Sequence, residues 1–311
     1  MSSGYAQAIA EFERMLELAR EAGDRLAEGE ALVELALAHY LTASSEHVPA
    51  ASGCARDALA IAEQTGDQRI LARSLCYLGL VDQVDGNLHE GDRKFLRSLE
   101  ISERRGYQDM VSQNLTWLSL HANWRGEFSK AVPLCGRSCE AASAIHDGFH
   151  EMMALSNLAF PLVGMADYAR AGSVMDEAVR VARERDNQFM VGRVLNTRGW
   201  MCQELGDFRA SSEYNREALQ AGRSNPNCEI STLINIAYDH LNGGDSSTAL
   251  ELLEQTLERV DKQAFGAHRW RWTIHLSQYI GEALLARGDT EGALAMANRA
   301  LQRATQTGSL K

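Results

Sequence analysis

Short turns recur every 40 residues along this chain, and this recurrence limits the fold more than any other feature. Four of these turns follow one another at that spacing: Gly86-Asn87, Gly126-Glu127, Ala166-Asp167 and Gly206-Asp207. The series continues to Gly244-Asp245 and Gly288-Asp289 in steps of 38 and 44 residues. A second series falls halfway between: Gly23-Asp24, Gly66-Asp67, Gly106, Asp147-Gly148 and Asp186. Two alternating series with a fixed period predict helix–turn–helix units stacked as a solenoid.

The segments between the turns have a helical composition. They are rich in Ala, Glu, Leu and Arg, and the 311 residues include only 4 prolines. The aspartates at the turns are predicted N-caps, because a carboxylate there accepts from free backbone N–H groups and meets the positive end of the helix dipole. These N-caps are Asp67 and Asp186 before first helices, and Asp207, Asp245 and Asp289 before second helices.

Aligning the units on their turns reveals columns of similar residues. Seven residues before the turn, the column holds only small side chains: Gly79, Ser119, Ala159, Gly199, Ala237 and Gly281. A neighbouring column is entirely leucine: Leu35, Leu75, Leu115, Leu155, Leu195 and Leu233. Small residues let two helices cross closely and large ones fill the gaps between them, so the columns predict nested hairpins.

This pattern resembles the tetratricopeptide repeat. The best matches are Gly199, Gly206-Asp207-Phe208 and Ala218-Leu219 in one unit, and Gly281, Gly288-Asp289, Ala293 and Ala300-Leu301 in another. The family's usual unit is about 34 residues. The longer unit here is similar to the long-helix variant found in bacterial regulators and signalling scaffolds. The resemblance covers nearly the whole chain.

The resemblance implies an all-α, right-handed α-solenoid of about seven helix pairs preceded by one N-terminal helix. We expect a single domain over residues 1–311, with a partial repeat or cap at 1–24, seven repeats at 25–305 and a tail at 306–311. From the repeat register we expect the chain to begin and end within a repeat. One hypothesis is that it is a piece of a longer solenoid, and the alternative is that natural capping helices close both ends.

Composition and charge exclude several functional classes. The net charge is −11 with the acidic residues scattered, which opposes nucleic-acid binding, since that requires a basic stripe. No apolar run is long enough to span a membrane, and the N-terminus does not resemble a signal peptide. The 6 cysteines lie mostly at helical positions and are predicted to be buried thiols in a reducing compartment. We expect a cytoplasmic, bacterial protein.

Two segments contain residue types that suit a chemical site. Cys135, Cys139, His146 and His150 have a spacing that invites zinc, but the cysteines fall on predicted core columns and the spacing differs from that of zinc fingers. We therefore expect no metal, no cofactor and no catalysis. The segment 268–272 interleaves basic and aromatic residues, which suits nucleic acid or anions. Alternatively, its tryptophans cover the preceding repeat while its arginines point outward.

The inner face of the first helices is the predicted binding groove, since first helices line the inside of this fold. The groove residues are Arg73, Cys76, Leu80, Gln83, Gln113, Thr116, Leu120, Asn123, Met153, Ser156, Phe160, Arg193, Asn196, Trp200, Gln203 and Tyr238. Amides can hold a peptide backbone, arginines can hold carboxylates and aromatic rings can anchor side chains. The alternative is that tight supercoiling buries these columns as ordinary core.

The sequence therefore predicts a scaffold that binds a peptide or a helical segment of a protein partner in its groove. The alternative is a sensor module that holds a small effector and controls an attached ATPase, cyclase or DNA-binding domain. We expect neither nucleic acid nor membrane as a partner, and the sequence leaves the oligomeric state open.

Overall fold

The computed structural model describes residues 2–42, 44–223, 225–262 and 268–309. These residues form helices joined by short turns. Within those ranges the fifteen helices are α1 (Ser2–Ala22), α2 (Arg25–Leu41), α3 (Val48–Thr65), α4 (Gln68–Asp85), α5 (Leu88–Arg105), α6 (Gln108–Trp124), α7 (Phe128–Ala144), α8 (Gly148–Gly164), α9 (Tyr168–Glu184), α10 (Gln188–Glu204), α11 (Phe208–Ala221), α12 (Pro226–Asn242), α13 (Ser246–Lys262), α14 (Arg269–Ala286) and α15 (Thr290–Thr307). The expected all-α array of seven helix pairs after one helix is confirmed.

First helices pack on the second helices that follow them, as in α2–α3, α4–α5, α10–α11 and α14–α15. First helices also pack on each other, as α8 does on α10 and α10 does on α12. Residues 2–118 form one compact unit, and residues 119–262 with 268–309 form a second. The assignment of a single domain over 1–311 stays a prediction, and residues 310 and 311 of its tail lie outside the described residues.

The turns close where the 40-residue spacing places them, and most of them contain a left-handed residue. Gly206 has a φ of 74° and Ala166, at the equivalent position, has a φ of 59°. Glycine adopts this conformation without a steric penalty, whereas alanine does not. The recurring glycine is therefore the residue that ends these helices at the lowest steric cost.

The aspartates cap the helices as predicted, with one exception. Asp67 Oδ1 accepts from the backbone N–H groups of Arg69 and Ile70 at 2.9 and 2.8 Å. The same role belongs to Asp207, Asp245 and Asp289. The prediction for Asp186 is wrong, because Asp186 is itself the left-handed residue, with a φ of 50°. The cap is the next residue, Asn187, whose side chain accepts from Met190 N at 3.1 Å.

The small column lets neighbouring helices approach closely. A Cβ added at Gly79 would lie 2.7 Å from the ring of Phe95, which is fully buried. A Cβ at Gly199 would lie 2.4 Å from Asn215 Oδ1. Both positions exclude a larger side chain, which is the packing that the sequence columns predict. Among the described helices, none combines the length and apolar character that a membrane crossing demands.

Candidate functional site

The polar groove residues of the first unit are paired with neighbours from adjacent repeats. Arg73 Nη2 donates to Glu34 Oε1 at 2.7 Å and to the Tyr77 hydroxyl at 3.4 Å. Gln83 Nε2 donates to the Tyr40 hydroxyl at 3.2 Å. The charge of Arg73 is therefore balanced within the unit.

Four of the predicted groove residues in this unit are enclosed by its packing. Cys76 and Thr116 are 0% exposed, and Leu80 and Gln83 are 1% exposed. The Cys76 thiol lies 3.6 Å from Gln113 Oε1, and burial raises its pKa. These side chains correct the prediction of an accessible groove here, because close crossing of the first helices turns that column into core.

The second unit contains two adjoining cavities. The first has a volume of about 120 Å³ and is lined by Leu120, Asn123, Trp124, Ser156, Asn157, Phe160, Phe189, Arg193, Asn196, Thr197, Asn227, Cys228, Ser231, His268 and Arg271. The second has a volume of about 90 Å³ and is lined by Phe160, Asn196, Thr197, Trp200, Ser231, Ile234, Asn235, Arg271, Trp272, His275 and Tyr279. Every lining residue lies on a first helix or directly before one, as expected for the inner face.

Seven predicted groove residues line these cavities: Leu120, Asn123, Ser156, Phe160, Arg193, Asn196 and Trp200. Three others, Met153, Gln203 and Tyr238, belong to the same unit but do not line the cavities. Met153 is buried, and Gln203 Nε2 donates to Asp239 Oδ1 at 2.8 Å. The ring of Tyr238 stacks on that of Tyr279, which lines the second cavity, at a centroid distance of 4.5 Å.

Two arginines supply positive charge to the first cavity. Arg193 Nε donates to Ser156 Oγ at 2.8 Å and its Nη2 donates to Asn157 Oδ1 at 2.7 Å, so these two partners are neutral. The guanidinium carbon of Arg271 lies 5.8 Å from the centre of the Phe160 ring. Neither arginine forms an ion pair with a carboxylate of the residues that the structure describes.

Burial lowers the pKa of both arginines but leaves them charged at neutral pH. It lowers the pKa of Arg193 to about 10. It also lowers the pKa of Arg271 to about 10, and the charge of Arg193 adds to that effect. Burial, helped by the charges of Arg271 and Arg193, lowers the pKa of His268 to about 3. At neutral pH the first cavity thus carries two cationic guanidiniums and a neutral imidazole.

Aromatic rings also line the first cavity, at Trp124 and His268. Trp124, at the end of α6, contacts His268 and Trp270 edge-on at centroid distances of 5.2 and 5.6 Å. The backbone carbonyl of Trp124 accepts from Ser309 Oγ at 3.1 Å, which ties the end of α6 to the residues that follow α15. The inner helices of this unit therefore meet around the cavity.

The second cavity is aromatic. The rings of Phe160 and Trp200 are 4.7 Å apart, and Trp200 Nε1 donates to Glu204 Oε1 at 2.7 Å. Trp272 is buried and its Nε1 donates to Ser231 Oγ at 3.2 Å. These hydrogen bonds fix the rings, so the cavity has rigid walls suited to an apolar or aromatic group.

Three polar atoms at the cavity walls are buried without a hydrogen-bond partner in the described part of the chain. They are Asn123 Oδ1, Asn196 Nδ2 and Arg271 Nε. Buried polar groups are nearly always satisfied in native proteins, because leaving one unpaired costs about 1–3 kcal/mol. The atoms are therefore candidates for contacts with a ligand.

Arg271 is the main site residue that the groove prediction missed. It was expected to point outward with its neighbours, and this is true of Arg269, which is exposed. A usable signal exists in the repeat register. Phe189, Asn227 and Arg271 are separated by 38 and 44 residues, the same steps as the turns, and all three line the first cavity. The expectation that Trp270 and Trp272 are covered holds, at 3% and 1% exposure.

No protein-family model matches the sequence, and no curated protein matches it significantly. Among solved structures, a Rap protein complexed with Competence and Sporulation Factor is similar over 99% of both chains, with 11% identity and a TM-score of 0.64. NprR in complex with its cognate peptide NprX is similar over 96% of this chain and 88% of that one, with 12% identity and a TM-score of 0.67.

A signal transduction ATPase with numerous domains from Pyrococcus horikoshii, which has a tetratricopeptide repeat sensor, is also similar. The match covers 97% of this chain and 46% of that one, with 14% identity and a TM-score of 0.59. These likenesses establish the fold, and the chain has the tetratricopeptide-type architecture that its turn spacing predicts.

Proposed function

We propose that this protein is a binding scaffold that takes an extended peptide in the two cavities of its second unit. The observation that carries the proposal is the convergence of Phe160, Arg193, Asn196 and Trp200 on adjoining cavities lined by first helices. Their side chains offer rigid aromatic anchors, a cation and amides, which are the groups that give a peptide site affinity and register.

The size of the cavities favours an extended peptide over a helix. A cavity of about 150 Å³ holds one benzene ring. Cavities of about 120 and 90 Å³ each have room for one side chain or terminal group. Two of the solved structures with the same fold support the proposal, since one is complexed with Competence and Sporulation Factor and the other with a cognate peptide.

A sensor module is the second candidate. It is favoured by the likeness to the Pyrococcus horikoshii ATPase, whose repeats are described as a sensor. In that case the same cavities hold a small effector and the change is passed to an attached domain. Both candidates are binding functions, and we infer that the protein is not an enzyme.

The state of the cysteines supports a reducing compartment such as the bacterial cytoplasm. All six are free thiols, at Cys54, Cys76, Cys135, Cys139, Cys202 and Cys228. Exported proteins of this size commonly pair their cysteines.

The test is a random pentapeptide array probed with wild-type protein and with Trp200→Ala and Phe160→Ala. Truncating a central aromatic anchor costs about 2 kcal/mol or more, which weakens binding about 30-fold. Phe149→Ala is the matched control, because Phe149 also lies on α8 but is 46% exposed and does not line either cavity. Unchanged capture by Trp200→Ala, with a native circular dichroism spectrum, contradicts the proposal.

A further inference from the structure

The positive charges of Arg193 and Arg271 in the first cavity are not balanced by a carboxylate of the described residues. A charged group removed from water is costly unless it meets an opposite charge. Arg73 occupies the same repeat column as Arg193, 120 residues earlier, and it pairs with Glu34 at 2.7 Å. Arg193 meets neutral partners, and the side chain of Arg271 forms no hydrogen bond or ion pair with a described residue. The two guanidinium groups are therefore suited to binding an anion.

The neighbouring cavity narrows the chemistry of that anion. The two cavities share five lining residues: Phe160, Asn196, Thr197, Ser231 and Arg271. Arg271 therefore borders both the cationic cavity and the aromatic one. A ligand that carries a carboxylate and an apolar side chain on the same carbon atom fills both cavities at once, and the last residue of a peptide is such a group.

The small volume of the first cavity favours a chain terminus over an internal acidic residue. The cavity of about 120 Å³ has room for one terminal group, whereas an internal residue needs space for the peptide backbone on both of its sides. The unpartnered side-chain atoms Asn123 Oδ1 and Asn196 Nδ2 lie at the walls, where they can pair with the backbone of the last peptide unit.

We propose that the cavities recognise the C-terminal residue of a peptide, with its carboxylate held by Arg193 and Arg271 and its apolar side chain against Phe160 and Trp200. This inference rests on the proposed peptide-binding function and specifies which part of the peptide is bound. Guanidinium groups bind carboxylates through paired, charge-assisted hydrogen bonds, so both affinity and orientation follow from the two arginines.

The test uses N-acetyl-leucyl-phenylalanine and its C-terminal amide, with affinity measured by isothermal titration calorimetry. The free acid is expected to bind at least tenfold more tightly than the amide, because hydrogen bonds to charged groups are the stronger ones. Arg271→Gln is expected to abolish this difference. Arg198→Gln is the control. Arg198 lies on α10, as Arg193 does, but it pairs with Asp176 and lines neither cavity.

Thermal unfolding of the ligand-free variants checks that Arg271 serves a ligand. Because the side chain of Arg271 has no hydrogen-bond partner among the described residues, Arg271→Gln is expected to keep or raise the melting temperature. A lower melting temperature assigns Arg271 to the folded core and overturns the inference. Arg271→Lys, which retains the charge, is expected to recover part of the acid–amide difference.

The remaining outcomes separate this inference from the proposed function. Equal affinity for acid and amide, with both still sensitive to Trp200→Ala, overturns C-terminal recognition and leaves peptide binding standing. 3-Phenylpropionate binding as tightly as the dipeptide acid, with the same dependence on Arg271, shows a small-acid site and overturns both. Inorganic phosphate displacing the dipeptide at equal concentration shows a general anion site and overturns the carboxylate assignment.

Discussion

Replacing Gly79 with alanine tests whether the small column holds the hairpins together. The new Cβ would lie 2.7, 2.9 and 3.0 Å from three atoms of the Phe95 ring, whereas ordinary contacts begin at 3.4 Å. The shortfall at the nearest atom is 3.4 − 2.7 = 0.7 Å. Phe95 is 0% exposed, so its ring has to push neighbouring core side chains or separate α4 from α5.

Two opposing effects set the size of the change. Overpacking a core costs about 1–3 kcal/mol. Alanine in place of a mid-helix glycine stabilises a helix by about 0.5–1 kcal/mol. The packing effect is larger, so Gly79→Ala is expected to lower the free energy of unfolding by up to about 2 kcal/mol.

Gly53→Ala isolates the helix effect in the same unit. Gly53 lies within α3, and a Cβ there has no atom within 4 Å. This variant is expected to raise the free energy of unfolding by about 0.5–1 kcal/mol. Urea denaturation followed by circular dichroism at 222 nm (a standard helical signal) measures both changes on the transition of one unit. A shift of the same sign for both glycines refutes the packing argument.

A rescue variant identifies the contact that is responsible. Gly79→Ala combined with Phe95→Leu removes the ring that the new methyl group meets. If the contact causes the loss, the double variant is more stable than the sum of the two single effects predicts, with a coupling of about 0.5–3 kcal/mol. Simple additivity places the cost elsewhere.

Two further predictions concern Glu28 in the first unit and the turn residues Ala166 and Gly206 in the second. A hydrogen bond from Arg20, opposed by burial and helped by Arg25, lowers the pKa of Glu28 below its ordinary value near 4.5. The contribution of Glu28 is therefore present above pH 4.5 and lost as the pH falls further. Glu28→Gln is expected to destabilise the protein by about 1–3 kcal/mol at pH 7 in urea titrations and by less at pH 3.5, and an equal loss at both pH values contradicts the assignment. Ala166→Gly is expected to raise the stability by about 1 kcal/mol, because Ala166 has a φ of 59°, and Gly206→Ala to lower it by a similar amount. Thermal melts check this pair, and a loss on Ala166→Gly contradicts the strain argument.

The fold was predictable because its punctuation is local. A left-handed residue followed by a capping side chain ends one helix and starts the next, as at Gly206 and Asp207. Where the left-handed residue is not glycine, the register can be misread by one position. For this reason the sequence pattern predicts Asp186 as the N-cap, whereas the structure has Asn187 in that role.

The candidate site was only partly predictable because a repeat column gives the direction of a side chain and not its surroundings. Cys76 and Trp200 were both placed on the inner face, yet Cys76 is 0% exposed and Trp200 lines a cavity. The difference depends on how closely the first helices of each unit approach, which is a property of the assembled packing. Arg271 was missed because the 44-residue step before it hides its column.

The unpaired charge of Arg193, by contrast, can be predicted from the sequence once the ion pair in the equivalent column of the first unit is known. Arg73 pairs with Glu34, which lies 39 residues before it on the preceding first helix. The residue 39 positions before Arg193 is Ala154, a fully buried alanine. The repeat that supplies an arginine to the second unit thus lacks the glutamate that neutralises the same column in the first. Since a repeat array reuses its backbone, exchanging one residue of such a pair is enough to turn a structural arginine into one available to a ligand.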